Sequence, residues 1–342
     1  MRAVIFLDRF HPNYDPMQSM HVYSDLVLEK LQELPSLELT PEPVYLDELS
    51  EKADLTCQAQ ILFSKWGMPE ISREMVQQYF PNLKAIFYAG SSIKRFALPF
   101  FAQGVRIFAA GEANAEAAAE FTLANILLAN KGAHRASRMY KDAQGYQAAR
   151  READRRTGNY RAKVGLIGVG HVGSRVAELL KPFDIDVLAC DPYLTPYRAK
   201  QLHVTIAELE ELFSECDVIS SHLPSNAQTA GMLNYDLFSL MMPHATFINA
   251  ALAEPVVEED LARALQEVPT RTAVLDSISA EADPSHHILL TLDNVILTPH
   301  IAGSFGGELE RMGELLVDAC SDYLSGRPSR HELFQDHLSV RC

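Results

Sequence analysis

The sequence predicts an α/β protein built on two doubly wound, mostly parallel sheets, and three observations predict it. Short apolar runs alternate with helical patterns along nearly the whole chain. Its 342 residues suit two domains better than one. A glycine-rich turn, residues 168–173, joins an apolar run to an amphipathic stretch.

In the first third, residues 4–7, 61–64, 84–88 and 105–108 are apolar runs of strand length, and residues 22–34 and 72–79 carry helical spacing. Residues 114–129 are rich in alanine and leucine, so a long connecting helix is expected, with Asn114 placed to cap it. Residues 131–161 are basic, and the reading favoured for them is a solvated helical arm or a subunit contact rather than an anion-binding patch. The βα alternation then resumes. Strands are expected at 218–221, 245–249, 272–276 and 295–298, with a helix at 257–266. Residues 306–324 form a last amphipathic helix, expected to return to the first lobe.

The glycine turn lies inside a βαβ pattern. Residues 164–167 read as a strand buried on both faces, after which Gly168 permits a sharp turn. Gly170, lacking a Cβ, lets a pyrophosphate approach the amides of His171 and Val172 at the positive end of the next helix, and Gly173 lets helix and strand pack closely. A second strand at 185–189 ends near Asp191, whose carboxylate is placed to accept hydrogen bonds from the adenosine ribose. That carboxylate repels a 2′-phosphate, and no arginine directly follows it, so NAD is expected rather than NADP.

Composition narrows the function classes. A net charge of −15 and a pI near 5.2 argue against nucleic acid or acidic membranes as partners. Cys57, Cys190, Cys216, Cys320 and Cys342 are scattered, odd in number and without a CxxC pair, a reduced intracellular pattern. The first eight residues read as a strand rather than a signal peptide, and no apolar run is long enough to span a bilayer. A soluble cytoplasmic protein is expected.

In open parallel sheets the ligand lies beyond the carboxyl ends of the strands, which directs attention to Lys65, Gly90 to Ser92, His222, Ala250 to Ala253, Asp276 and His300. Hydride exchange at an alcohol carbon needs a group to take and return the hydroxyl proton, and His300 suits it. Glu281 is the candidate carboxylate to fix its tautomer. The other histidines lack ligand spacing, so no metal site is expected.

These pieces resemble the D-isomer-specific 2-hydroxyacid dehydrogenases, the group containing formate, glycerate and phosphoglycerate dehydrogenases. The resemblance rests on residues 114–120, 165–173, 191–193, 222–224, 248–249 with 256–261, 275–276 and 297–304. It implies two Rossmann-like domains with a cleft between them: a flavodoxin-like substrate domain from residues 1–108 plus 303–342, and an NAD-binding domain from 109–302. It also implies a homodimer acting on a small 2-hydroxy or 2-keto acid. Carried over by position, His300 is the acid–base residue and Glu281 its partner. Asp276 lies near the nicotinamide carboxamide. Gly168, Gly170, His171, Val172, Gly173, Asp191, Pro192, His222, Pro224 and Ala250 surround the dinucleotide, and Gly90, Ser91 and Ser92 receive the substrate carboxylate.

One position departs from the pattern. Leu252 stands where the family's arginine would hold that carboxylate, a loss of at least about 1.5 to 3 kcal/mol of charge-assisted binding. Lys94 and Arg95 also replace the usual Asp-Asn, Ala253 the usual glycine, and Ala282 a proline. Lys94, Arg95 or Lys65 could supply a replacement cation, although for Lys65 a solvated side chain is the reading favoured. Two functions therefore stand: an NAD-dependent dehydrogenase, slow or altered in specificity, and a catalytically silent NAD(H)-binding sensor or scaffold. His300 and Glu281 favour the first; Leu252 favours the second.

Overall fold

The computed structural model describes residues 1–11, 14–279, 283 and 285–339. The chain divides into two compact units, Met1–Asn114 with Ser304–Cys342, and Ala115–Gly303.

The first unit is built on strands β1 (Arg2–Leu7), β2 (Glu38–Tyr45), β3 (Ile61–Lys65), β4 (Ala85–Ala89) and β5 (Arg106–Ala109), joined late in the chain by β13 (Glu332–Leu333). Their order is β2-β1-β3-β4-β5-β13, all parallel except β13. This is the flavodoxin-like arrangement, in which strand order reverses between β1 and β3. The period of two along each strand divides the core. Ile5, Ile61, Phe63, Ala85 and Phe87 pack with Val27, Leu31, Met312 and Leu316 on one face, while Val4, Phe6, Leu62 and Ile86 pack with Val76, Phe80 and Phe100 on the other. The closing helix Glu308–Leu324 belongs to this unit, as expected. A Cβ on Gly313 would come within 2.1 Å of the Val22 carbonyl, so only glycine lets that helix seat.

Two details differ from expectation. The stretch expected as one helix over 22–34 belongs to two, Pro16–Val22 and Asp25–Gln32, because the Ser24 hydroxyl accepts the Val27 N–H and starts a fresh turn. Strand β2, unforeseen, carries Pro41 and Pro43, which only a sheet edge tolerates.

The second unit holds β6 (Ala162–Ile167), β7 (Ile185–Cys190), β8 (Thr205–Ile206), β9 (Val218–Ser221), β10 (Thr246–Asn249), β11 (Thr272–Leu275) and β12 (Val295–Leu297). All pair in parallel, in the order β8-β7-β6-β9-β10-β11-β12, and the reversal falls between β6 and β9. The long helix runs Gly111–Asn130, so Asn114 lies inside it rather than capping it. Its Oδ1 instead accepts the Ser304 N–H at 2.8 Å, tying together the two points where the chain passes between units.

The basic stretch folds as helices Ala133–Met139 and Ala143–Ala153. Most of it is exposed or partly exposed, and three of its arginines are also tied to carbonyls. Arg135, Arg138 and Arg156 donate to the carbonyls of Pro269, Asp293 and His244, and buried Glu152 lies 3.2 Å from Arg135 and 3.4 Å from Arg156. Much of the positive charge thus latches the arm to its own unit. Among the described residues no helix is long and apolar enough to cross a membrane.

Candidate active site

Each glycine of the fingerprint meets a different constraint. Gly168 has φ +86°, and a Cβ there would lie 2.9 Å from the His222 carbonyl oxygen. A Cβ on Gly173 would lie 2.1 Å from the Gly168 carbonyl oxygen, so the helix His171–Leu180 could not approach the turn. A Cβ on Gly170 would meet nothing within 4 Å. Its smallness therefore serves no packing need of the protein, and it leaves open the space before the amides of His171 and Val172 at the helix's positive end.

Asp191 closes the other side of the turn. One carboxylate oxygen accepts the Val169 N–H and the other the Tyr193 N–H, both at 2.7 Å, leaving lone pairs for ribose hydroxyls. His222, after β9, has its Nε2 3.1 Å from the Ser220 hydroxyl. Burial pushes its pKa down to about 4, so the ring is neutral near pH 7. Pro192 is exposed, while Pro224 and Ala250 are partly so.

A second construction follows β11 and β12. His300 is exposed, with φ +54°, a left-handed conformation unfavourable for a side chain with a Cβ. Buried Asp276 holds it there. The Asp276 carbonyl accepts the His300 N–H at 2.9 Å, and its carboxylate accepts the Thr298 hydroxyl at 2.6 Å and the N–H groups of Ile301 at 2.9 Å and Ala302 at 2.7 Å. The carboxylate, expected near a nicotinamide amide, is thus engaged by the histidine loop.

Leu252 follows β10 and is 41% exposed. Asn249 fixes its loop, donating from Nδ2 to the Leu252 carbonyl at 3.1 Å. Glu281 lies outside the described residues. The chain on either side of it is anchored by a residue the sequence reading passed over: buried Glu258 accepts the Ser279 N–H at 3.0 Å and stands 3.1 Å from His287 Nε2. Its position opening the helix Glu258–Glu267 was the available signal.

In the first unit, Gly90, Ser91 and Ser92 follow β4, and a Cβ on Gly90 would strike the Tyr88 ring at 2.4 Å. Lys65, ending β3, corrects the expectation of a solvated side chain: it has no accessible surface. Its Nζ lies 3.3 Å from the Trp66 carbonyl oxygen and 5.0 Å from the Tyr14 ring centroid.

The second unit's strand order, glycine turn and acidic residue define a dinucleotide-binding α/β protein, and its open space before Gly170 fits a pyrophosphate. The chain belongs to the D-isomer specific 2-hydroxyacid dehydrogenase family, whose NAD binding domain matches residues 123–302. It is 30% identical over 258 residues to a D-3-phosphoglycerate dehydrogenase of Synechocystis sp., a match covering 75% of this chain and 46% of the relative. It is 33% identical over 211 residues to a putative 2-hydroxyacid dehydrogenase of Bacillus subtilis, 59% of each. The chain thus spans about half the length of the phosphoglycerate dehydrogenases it matches. Among solved structures, the NAD-complexed D-isomer specific 2-hydroxyacid dehydrogenase of Lactobacillus delbrueckii ssp. bulgaricus has the same fold, with a TM-score of 0.78 at 19% identity over 98% of this chain and 100% of that one. The D-mandelate dehydrogenase of Rhodotorula graminis also gives 0.78, at 18% identity over 98% of each.

Proposed function

We propose that this chain is an NAD-dependent oxidoreductase moving a hydride between the cofactor and carbon 2 of a small 2-hydroxy or 2-keto acid. The observation that carries the reading is His300, held left-handed by Asp276 at the carboxyl edge of the sheet that also bears the glycine turn. Such a conformation costs about 1 to 3 kcal/mol, persists only where its surroundings enforce it, and clusters at active sites.

Bound NAD supplies the hydride acceptor in one direction and, as NADH, the donor in the other. His300 accepts the hydroxyl proton during oxidation and returns it to the developing alkoxide during reduction. Glu281 is assigned to the second ring nitrogen, where a carboxylate fixes the tautomer and stabilises the imidazolium. The amides of His171 and Val172 receive the pyrophosphate and Asp191 the ribose, with Pro192, His222, Pro224 and Ala250 lining the dinucleotide's course. Gly90, Ser91 and Ser92 are assigned to the substrate. Leu252 takes the place of a carboxylate-binding arginine, so an arginine-independent way of holding the acid is required.

The proposed assembly is a homodimer through the basic arm, whose exposed Tyr140 and Tyr146 pack at a tilt with centroids 5.2 Å apart, beside a connecting helix that exposes Leu128. The proposed compartment is the cytoplasm, in keeping with free cysteines at 57, 190, 216 and 320.

NADH titration followed by a screen of 2-keto acids, on the native chain and Leu252→Arg, tests the reading. NADH oxidation by at least one acid is expected. Binding of NADH with no oxidation by either protein rejects the dehydrogenase and leaves a binding role; absence of NADH binding rejects both.

A further inference from the structure

The second unit carries a polar pocket on the side of its sheet that the dinucleotide does not use. The pocket has a volume of about 120 Å³ and is lined by Asn130, Arg155, Arg156, Thr157, Asp217 and His244, all within Ala115–Gly303. Asp217 immediately precedes β9 and His244 lies two residues before β10, so the pocket sits at the amino ends of the parallel strands. The glycine turn follows β6, at the opposite, carboxyl edge of the same sheet. Three segments meet at the pocket: the end of the connecting helix, the exit of the basic arm and the turn into β10.

Two buried polar atoms in its wall are left over. Asn159 donates from Nδ2 to the Leu127 carbonyl at 3.2 Å, so its Oδ1 is the acceptor that takes the Asn130 Nδ2 at 3.0 Å. That relay fixes the Asn130 amide and makes its Oδ1 the spare atom. Asn130 is 2% exposed, and its Oδ1 has no hydrogen-bond partner among the described residues. Arg156, its side chain 5% exposed, donates from Nη1 to the His244 carbonyl and holds Nη2 3.4 Å from both Glu152 and the Thr270 carbonyl. Its Nε is likewise unpartnered among the described residues. Buried polar groups are ordinarily satisfied, and here a neutral acceptor and a cationic donor are both open in one pocket.

The charge around them is surplus positive. Arg135, Arg155 and Arg156 share one carboxylate, that of buried Glu152, at 3.2, 3.8 and 3.4 Å. Asp217 is engaged: Oδ1 accepts the Thr157 hydroxyl and Oδ2 the Lys163 N–H at 2.9 Å. His244, whose carbonyl takes Arg156, is held at φ +75°, a left-handed conformation of the kind that persists where its surroundings enforce it and that gathers at ligand sites.

We propose that this pocket binds a phosphate group, with its anionic oxygens on Arg155 and the Arg156 Nε and a P–OH donating to the Asn130 Oδ1. The volume is about that of four waters in the liquid, which suits a group of roughly five heavy atoms. Near neutral pH inorganic phosphate keeps at least one hydroxyl, so it brings both the negative charge that the arginines attract and the donor that the amide lacks. Sulfate has the same shape and no donor. A bound phosphate ties the exit of the arm to the connecting helix and to β10, and takes no part in the hydride chemistry. The inference stands apart from the oxidoreductase reading.

Calorimetric titration of the full chain with inorganic phosphate and with sulfate, each with and without saturating NADH, tests it. Native protein should bind phosphate at least about tenfold more tightly than sulfate, because a site built to receive a hydroxyl leaves its acceptor unpaired when the hydroxyl is missing. NADH should leave the phosphate affinity unchanged. Arg156→Lys, which keeps the charge and deletes Nε, should weaken phosphate at least about tenfold. Arg155→Ala, at an exposed position where folding is undisturbed, should weaken it about threefold or more. Phosphate should also raise the melting temperature of native protein and not that of Arg156→Lys. Glycerol 3-phosphate separates the two sources of the group: binding equal to or tighter than phosphate assigns a phosphate monoester, weaker binding assigns the free ion, and either supports the site. Equal affinities for phosphate and sulfate, native phosphate affinity in both variants, or no phosphate binding at about 10 mM would overturn the proposal. Phosphate binding abolished by NADH would overturn it too, since the ion would then lie at the glycine turn.

Discussion

Asp276 and His300 are joined main chain to main chain, the His300 N–H donating to the Asp276 carbonyl at 2.9 Å, and the Asp276 carboxylate then grips the loop on both sides of the histidine. The left-handed conformation of His300 thus has an identifiable cause in the carbonyl and carboxylate of Asp276, which hold the loop that carries it.

Asp276→Asn should separate the two roles open to this aspartate. An amide keeps one acceptor but turns a donor toward the loop, leaving a buried mismatch of about 1 to 3 kcal/mol. We expect kcat/KM to fall at least about tenfold with NADH affinity nearly unchanged, as steady-state kinetics and a fluorescence titration would record. A matching loss of NADH affinity would place the carboxylate on the nicotinamide instead.

The fingerprint glycines predict opposite phenotypes. Gly170→Ala, facing open space, should fold with native stability and bind NADH at least tenfold more weakly, since a Cβ intrudes where the pyrophosphate would lie. Gly173→Ala, driven to 2.1 Å from the Gly168 oxygen, should lower the melting temperature before any cofactor is added. Calorimetry with and without NADH separates them, and equal behaviour would contradict the assignment.

His222 predicts a pH dependence of stability. Its proton binds near pH 6.5 in the unfolded chain and near 4 in the folded one, so unfolding takes up a proton between those values. The contribution is fully present above pH 6.5 and lost as pH falls toward 4, at most about 3 kcal/mol. Denaturant melts across this range should show the decline in native protein and a shallower one in His222→Gln. Identical slopes would remove His222 as the cause.

Leu252→Arg should restore what the family pattern provides. The side chain is exposed, so stability should change by less than about 0.5 kcal/mol, while KM for a 2-keto acid should fall about tenfold or more. An unchanged KM would mean that position 252 does not face the carboxylate.

The sequence disclosed most where chemistry is local. Gly168 and Gly173 are each required by contacts within a few residues or with one neighbouring turn, and strands such as β6 and β10 are almost wholly buried because both their faces are covered. Strand β2 escaped notice because its prolines and exposed positions look like loop until the edge of the sheet is known. Asp276 shows the same limit at the candidate site. Its position after a strand was legible, but its donors come from residues 298–302, brought close only by the pairing of β11 with β12. Lys65 is the clearest case: an ordinary lysine in sequence, it is buried at the end of β3, with the ring of Tyr14, distant in the chain, 5.0 Å from its Nζ.

Single-turnover oxidation of bound NADH by a 2-keto acid, in native protein and His300→Gln, tests the central claim most directly. The account predicts that NADH binds both proteins alike and that the hydride-transfer rate falls about 100-fold or more in the variant. Equal rates in the two proteins would contradict the assignment of His300 as the acid–base group.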